Sequence, residues 1–325
     1  MKNKKRKLNV KRCFLWGVPV VAVVCVCTAV ILLGIGIEKE PGDTSEQISE
    51  QVVLSEEPVS SSEKNINSDA ESSEEKSEEA SSSEEVTEEP STVSEEELKQ
   101  ARIEEVVAGW ETIPAGTVLA EEEVDLSQKS NYFLAYEISD DVYGVINGKS
   151  FQEGTEVTLA DIRYIKVLHY NFEHKLQVGE LIVATALQED FINIFMELLD
   201  AEYEIQTMYL ADNYWTGDPT STDSASIDEN NTSAFLYRPA TGSSKLSKHA
   251  YGRAIDINPQ QNPYVSYKSG SPVWSHENAN DYIDRTTGLP HVITHDDVCY
   301  QIFKKYGFTW GGDWNTIKDY QHFEK

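Results

Sequence analysis

Apolar and polar positions divide the chain into a few legible elements. Gly179-Glu-Leu-Ile-Val-Ala184 is a short apolar burst, and it predicts a buried strand. Leu187, Phe191, Ile194, Phe195 and Leu198 then recur at helical spacing, so a core-facing helix is expected over about 186–201. Glu204 to Leu210 alternates as a strand does. Residues 212–233, rich in Asp, Asn, Ser and Thr, read as a long loop, and 258–290 as a second irregular stretch. Arg253 to Asn258 alternates again, with Ala254, Asp256 and Asn258 on one face and Ile255 and Ile257 on the other. Asp296 or Asp297 is placed to cap a helix carrying Val298, Ile302 and Phe303 that ends near Gly307. Upstream, Ser94 and Glu97 have the spacing of a capping box, ahead of a weak stripe of Leu98, Ala101, Val106 and Val107. The turn Pro114–Gly116 interrupts that stripe. Residues 98–130 therefore read as a neck and 131–325 as a compact domain.

The first 97 residues follow other rules. Lys2, Lys4, Lys5, Arg6, Lys7, Lys11 and Arg12 form a basic tail, 1–12, without an acid. Cys13 to Ile37 carries no charge, and about 20 such residues suffice to span a bilayer. The basic flank comes first, which predicts a single-pass signal anchor over 13–37, with a cytoplasmic N-terminus and an extracellular remainder. The alternative is a cleaved signal peptide, whose apolar region would be shorter and end in a small-residue cleavage site. Residues 38–97 are rich in Ser and Glu: 21 acids against Lys39, Lys64 and Lys76 give a net charge of -18. Such a segment buries too little to offset its ordering entropy and is expected to be disordered. It reads as a tether, or as a plain solubilising spacer, reaching about 45 Å root-mean-square or more.

Charge and cysteine content narrow the function. Residues 98–325 carry 35 acids and 17 bases, again -18, which argues against nucleic acid and anionic lipid as partners. Of the four cysteines only Cys299 lies beyond the apolar span, so no disulfide can form within the outer part.

The chemistry concentrates in two short strings. In Ser247-Lys-His-Ala-Tyr-Gly-Arg-Ala-Ile-Asp256, His249 precedes a strand that bears Asp256, and Gly252 permits a bend between them. An unpaired carboxylate on so apolar a strand would be unfavourable, and a cation resolves this. In Asp319-Tyr-Gln-His322 the two polar ends would face opposite ways on a regular strand. A turn must therefore separate them, with Asp319 on a loop and His322 opening a final strand. Two histidines and an aspartate can hold zinc with one position open, and a further acid can work the metal-activated water. Asp319 is the candidate general base. Arg238 is a candidate to stabilise an oxyanion or to hold a substrate carboxylate, with a surface ion pair as the alternative. His169, His174, His276, His291 and His295 have no such context, and Trp310 and Trp314 read as packing residues, with aromatic walls beside a peptide cleft as the alternative.

The first string matches, at Ser247, His249, Gly252, Ala254 and Asp256, the SxHxxGxAxD signature of the zinc D-Ala-D-Ala peptidases of VanX/VanY type. Asp319-Tyr-Gln-His322 matches that family's second motif. The run from Gly307 through Trp310 and Trp314 to Phe323 resembles the branch that holds L-alanyl-D-glutamate endopeptidases. The resemblance covers about 135 to the C-terminus. It implies an α+β fold of Hedgehog/D,D-peptidase type, a small antiparallel sheet flanked by helices. It also implies Zn2+ on His249, Asp256 and His322, a base at Asp319, and an arginine that falls on Arg238. The expected activity is hydrolysis of peptidoglycan stem peptides, as a D,D-carboxypeptidase or an L-Ala–D-Glu type endopeptidase. The competing expectation is a non-catalytic, zinc-containing wall-binding or signalling module, a use to which Hedgehog domains put this fold.

Overall fold

The structure is a computed structural model that describes residues 93–325. The predicted span 13–37 and all but the last five residues of the predicted linker 38–97 lie outside the described residues. Among the described residues no helix is long and apolar enough to cross a membrane.

The architecture is α+β, with helices packed around small antiparallel sheets. One sheet has the order β1-β2-β3, from Leu134–Tyr136 (β1), Ile162–Tyr170 (β2) and Leu176–Ala184 (β3). Its long hairpin pairs Ile162 with Ala184 at one end and Tyr170 with Leu176 at the other. Both faces are covered, so β2 and β3 are buried almost continuously instead of alternating. On one face Ile165, Val167 and Val183 pack with Phe191, Ile194, Phe195 and Leu198 of α3 (Gln188–Asp200). This is the helix that the spacing predicted, entered through a tight turn at Thr185–Leu187. On the other face Ile162, Tyr164 and Ile182 meet Ile146 of α2 (Asp140–Ile146) and Phe235.

The capping box forms as expected: Ser94 accepts from the Glu97 amide and opens α1 (Glu95–Gly109). Segment 98–130, expected as a neck, contributes Val106, Trp110, Leu119 and Val124 to the same apolar cluster as β2 and β3. Lys166, almost fully buried, donates to the carbonyls of Glu111 and Ile113, which ties this segment to the sheet.

Two expectations are corrected. Glu204–Leu210 forms no ladder of its own, only single bridges from Glu204 to Tyr170 and from Thr207 to Asn231. The polar stretch 212–233 is not all loop, because it holds α4 (Pro219–Asp228). Asp218 caps that helix by accepting from the Thr220 and Ser221 amides, and Pro219 occupies its first turn. Ser and Thr rather than leucines fill its buried side, at Thr222 and Ser226, so it offers no apolar stripe to read.

The C-terminal part is built from very short strands. β4 (Ala254–Asp256), β8 (His322–Glu324) and β6 (Thr309–Trp310) form one sheet in the order β4-β8-β6, while β5 (Tyr264–Ser266) pairs with β7 (Ile317–Asp319). Asp297 caps α5 (Val298–Lys305), and Gly307 follows it with φ 82°, a left-handed position suited to glycine. Phe303 and Phe308 of this region close the main core against Phe191 and Phe323.

Candidate metal centre

His249 sits on a single helical turn, Lys248–Tyr251, capped by the Ser247 hydroxyl, which accepts from the His249 amide. The turn ends at Gly252, φ 63°. A side chain there would lie 2.5 Å from the Ala184 nitrogen, which donates to the Gly252 carbonyl at 2.7 Å. Glycine thus lets the turn lock onto the end of β3 before the chain enters β4. The register of β4 against β8 places Asp256 directly opposite His322. The predicted strand and the predicted final strand are therefore neighbours, and their polar residues meet.

His249, Asp256 and His322 are buried, with donor atoms all within 4.8 Å of one another. His249 Nε2 is 3.2 Å from Asp256 Oδ2 and 3.1 Å from His322 Nδ1. His322 Nδ1 is 3.0 Å from Asp256 Oδ1. The outer nitrogens are occupied as well: His249 Nδ1 lies 2.5 Å from the Ala234 carbonyl, and His322 Nε2 lies 3.1 Å from Glu324 Oε2. Both outer partners are acceptors, so each outer nitrogen carries the proton and donates. With both rings neutral, the inner nitrogens present lone pairs to each other and to a carboxylate. Three converging acceptors without a donor fit a cation, so the donor chemistry suits a metal ion.

A proton on the inner nitrogen of His322 meets the same need. Burial would raise the Asp256 carboxyl, but His249 and His322 outweigh it and hold Asp256 far below its ordinary range. Burial would lower His322, yet its hydrogen bonds to Asp256 and Glu324 push it up to about 10. The cluster draws positive charge to itself.

Asp319 does not lie on a loop as expected. It ends β7, opposite Tyr264 of β5, and the predicted turn follows at Tyr320–Gln321. Gly311 makes room: a side chain there would meet the Asp319 carbonyl at 2.5 Å and its Cβ at 2.8 Å. The corner is held from outside, because the Trp310 indole donates to the Tyr320 carbonyl at 2.8 Å. Asp319 lines the same cavity as the three clustered residues, and its Oδ1 is buried without a hydrogen-bond partner. Burial and the Asp256 charge raise its carboxyl to about 7, against the opposing pull of His322 and Arg238.

Arg238 lines this cavity too, tied to the His249 turn because the Ser247 amide donates to the Arg238 carbonyl at 3.0 Å. Its guanidinium is buried, with Nη2 2.8 Å from Asp223 Oδ2 and Nη1 donating to the Pro239 carbonyl. Burial would lower its pKa, but Asp223, Asp256 and Asp319 outweigh that and raise it. The cavity holds about 440 Å³, and the half-exposed Trp314 forms part of its wall. Trp310, by contrast, is core, as the sequence suggested.

Two site residues carry no clear mark in the sequence. Asp223 sits on α4, within the polar stretch that reads as loop. Glu324 lies two residues beyond His322 on one strand, so the period of two was the available signal.

Residues 241–325 match a protein-family model described as D-alanyl-D-alanine carboxypeptidase. Among curated proteins, the peptidoglycan L-alanyl-D-glutamate endopeptidase CwlK of Bacillus subtilis (strain 168) is 37% identical over 78 residues. That match spans 24% of this chain and 38% of the relative's length. No solved structure matches.

Proposed function

We propose, on the premise that residues 241–325 are a domain of the D-alanyl-D-alanine carboxypeptidase family, that this chain is a zinc peptidase acting on peptidoglycan stem peptides. The observation that carries the reading is the convergence of His249 Nε2, His322 Nδ1 and the Asp256 carboxylate, with every outer nitrogen already held. These three would hold the ion, in a fold of Hedgehog/D,D-peptidase type. When bound, zinc supplies a Lewis acid that polarises the scissile carbonyl and makes water acidic enough to attack near neutral pH.

The chain's own residues do the rest. Asp319, with one oxygen unpartnered, takes the proton of the attacking water and returns it to the leaving amine, so the proton balance closes on one carboxylate. Its raised pKa suits both steps, since a carboxylate of ordinary strength would hold the proton less well before handing it on. Arg238 offers positive charge to the carbonyl oxygen as it becomes anionic. The Trp314 wall gives an apolar side to the peptide.

The family description names a carboxypeptidase and the relative an endopeptidase, so the bond cut is a D-Ala–D-Ala or an L-Ala–D-Glu type bond. The basic tail 1–12, the uncharged span 13–37 and the acidic segment 38–97 support a single-pass anchor that carries the domain outside the cell, towards the wall. The test is zinc content together with muropeptide digestion by wild type and Asp319→Ala. Cleavage by wild type alone, with zinc retained in both, supports the reading. Identical products from the two proteins refute it, and leave the wall-binding or signalling module in its place.

A further inference from the structure

Buried polar side-chain atoms without a hydrogen-bond partner are rare in folded proteins. Eight occur among the described residues, and three of them belong to residues that line the cavity of the metal centre: Arg238 Nε, Asp319 Oδ1 and Gln321 Oε1. The reaction above accounts for Arg238 and Asp319 but not for Gln321. Gln321 is 4% exposed, and an acceptor shut away at that depth is unfavourable unless a ligand brings the donor. On a regular strand Gln321 and His322 would face opposite ways. The turn at Tyr320–Gln321 breaks that alternation, and Asp319, Gln321 and His322 all line one cavity. The main chain is fixed on both sides of this residue. The Ile257 amide donates to the Gln321 carbonyl at 3.0 Å, and the Arg285 guanidinium lies over Tyr320, 4.3 Å from the ring centre.

The chemistry of the substrate narrows the choice of donor. Consecutive Cα atoms are about 3.8 Å apart, so Gln321 starts beside His322 and its side chain reaches groups next to the cut. The scissile nitrogen is not the partner, since it must take its proton from Asp319 and leave. The next N–H belongs to the residue before the cut, separated from the scissile carbonyl carbon by a single Cα. In either candidate bond that residue is an alanine whose nitrogen is acylated, so it presents this N–H. We propose that Gln321 is a substrate-binding residue: its side-chain oxygen accepts a hydrogen bond from the amide N–H of the residue before the scissile bond. This rests on the peptidase reading above and deepens it. The contact serves either bond, because it holds the acyl side that the two have in common.

The experiment uses the full chain, loaded with zinc, and pairs of stem peptides for both candidate bonds. Within a pair the residue before the cut is alanine or the 2-hydroxy acid of the same hand, so the N–H becomes an ester oxygen and the scissile amide stays. Cleavage of that amide gives kcat/KM, and uncleavable reduced-amide forms of both are titrated by calorimetry. Wild type should bind and cut the N–H form about tenfold better, the size of one hydrogen bond. Gln321→Met, close in shape but without the oxygen, should lose about tenfold on the N–H form and treat the two peptides alike. A merely structural loss would move both peptides together and leave their ratio at its wild-type value. That unchanged ratio, or a wild type indifferent to the exchange, overturns the inference. Should Gln321→Met fail to fold, Gln321→Leu makes the same comparison. Binding with the expected ratios but no cleavage of any peptide would count against the peptidase reading and leave the role of Gln321 standing.

Discussion

Among the described residues two clusters set a pair of histidines around a carboxylate, and only one has the shape of a metal site. His249, Asp256 and His322 are buried, and their outer nitrogens are taken up by Ala234 and Glu324, so the inner atoms must face one another. His174, His291 and Glu204 form the other. There His174 Nδ1 is 2.9 Å from Glu204 Oε1 and His291 Nε2 is 3.6 Å from Glu204 Oε2, so the carboxylate is an ion-pair partner between them. Both rings lie flat on aromatics, His174 on Tyr170 and His291 on Phe172, and His174 is half exposed. Among the described residues only the first group brings three donor atoms together. Residue types alone do not separate the two clusters; burial and the occupied outer nitrogens do.

The sharpest way to break this contrast is to remove a donor. Asp256→Ala or His322→Ala should abolish stoichiometric metal and lower peptide cleavage at least about 1,000-fold, whereas Glu204→Ala should change neither. Metal analysis and kcat/KM on the three variants check this.

A third setting sharpens it further. His169 is buried with no carboxylate beside it, Nδ1 on the Tyr170 carbonyl and Nε2 without a partner. Burial lowers its pKa from 6.5 to about 4, although its backbone hydrogen bonds oppose this. The unfolded chain therefore takes up the proton first. The stability that His169 contributes is full above pH 6.5, falls as pH drops, and is lost below about 4. The loss is on the order of 3 kcal/mol. Urea unfolding between pH 7 and 4 should show this drop, and His169→Gln should flatten it.

Glu324 tests the outer shell. Glu324→Gln keeps the shape but weakens the hold on the His322 Nε2 proton, so zinc affinity should fall about 10–100-fold with the fold intact. Competition with a chelator reads this directly. The smallest effect belongs to the other cluster: His174→Gln should shift stability by less than about 1 kcal/mol, because its ion pairs are exposed.

Much of this site was legible because its residues lie on elements with clear signals. The spacing of Phe191, Ile194 and Phe195 marked α3, and alternation around Ile255 and Ile257 marked β4. Motif order then placed His249, Asp256, Asp319 and His322. What stayed hidden had no apolar period to show. The helix α4 is held by Asp218, Pro219 and buried Thr222 and Ser226, so nothing pointed to Asp223 as the partner of Arg238. Asp319 was expected on a loop because nothing in Ile317–Asp319 reveals that Tyr264 will pair with it. The alternation of Glu204–Leu210 misled for the opposite reason: the pattern was present, but its pairing stops at single bridges.

X-ray absorption at the zinc edge, with metal counted per chain, tests the central claim most directly. One zinc per chain with two imidazole nitrogens and oxygen ligands near ~2.0–2.1 Å, and no sulfur, is the predicted result. A chain that takes up no stoichiometric zinc, or a zinc whose spectrum is unchanged in His322→Ala, would contradict it.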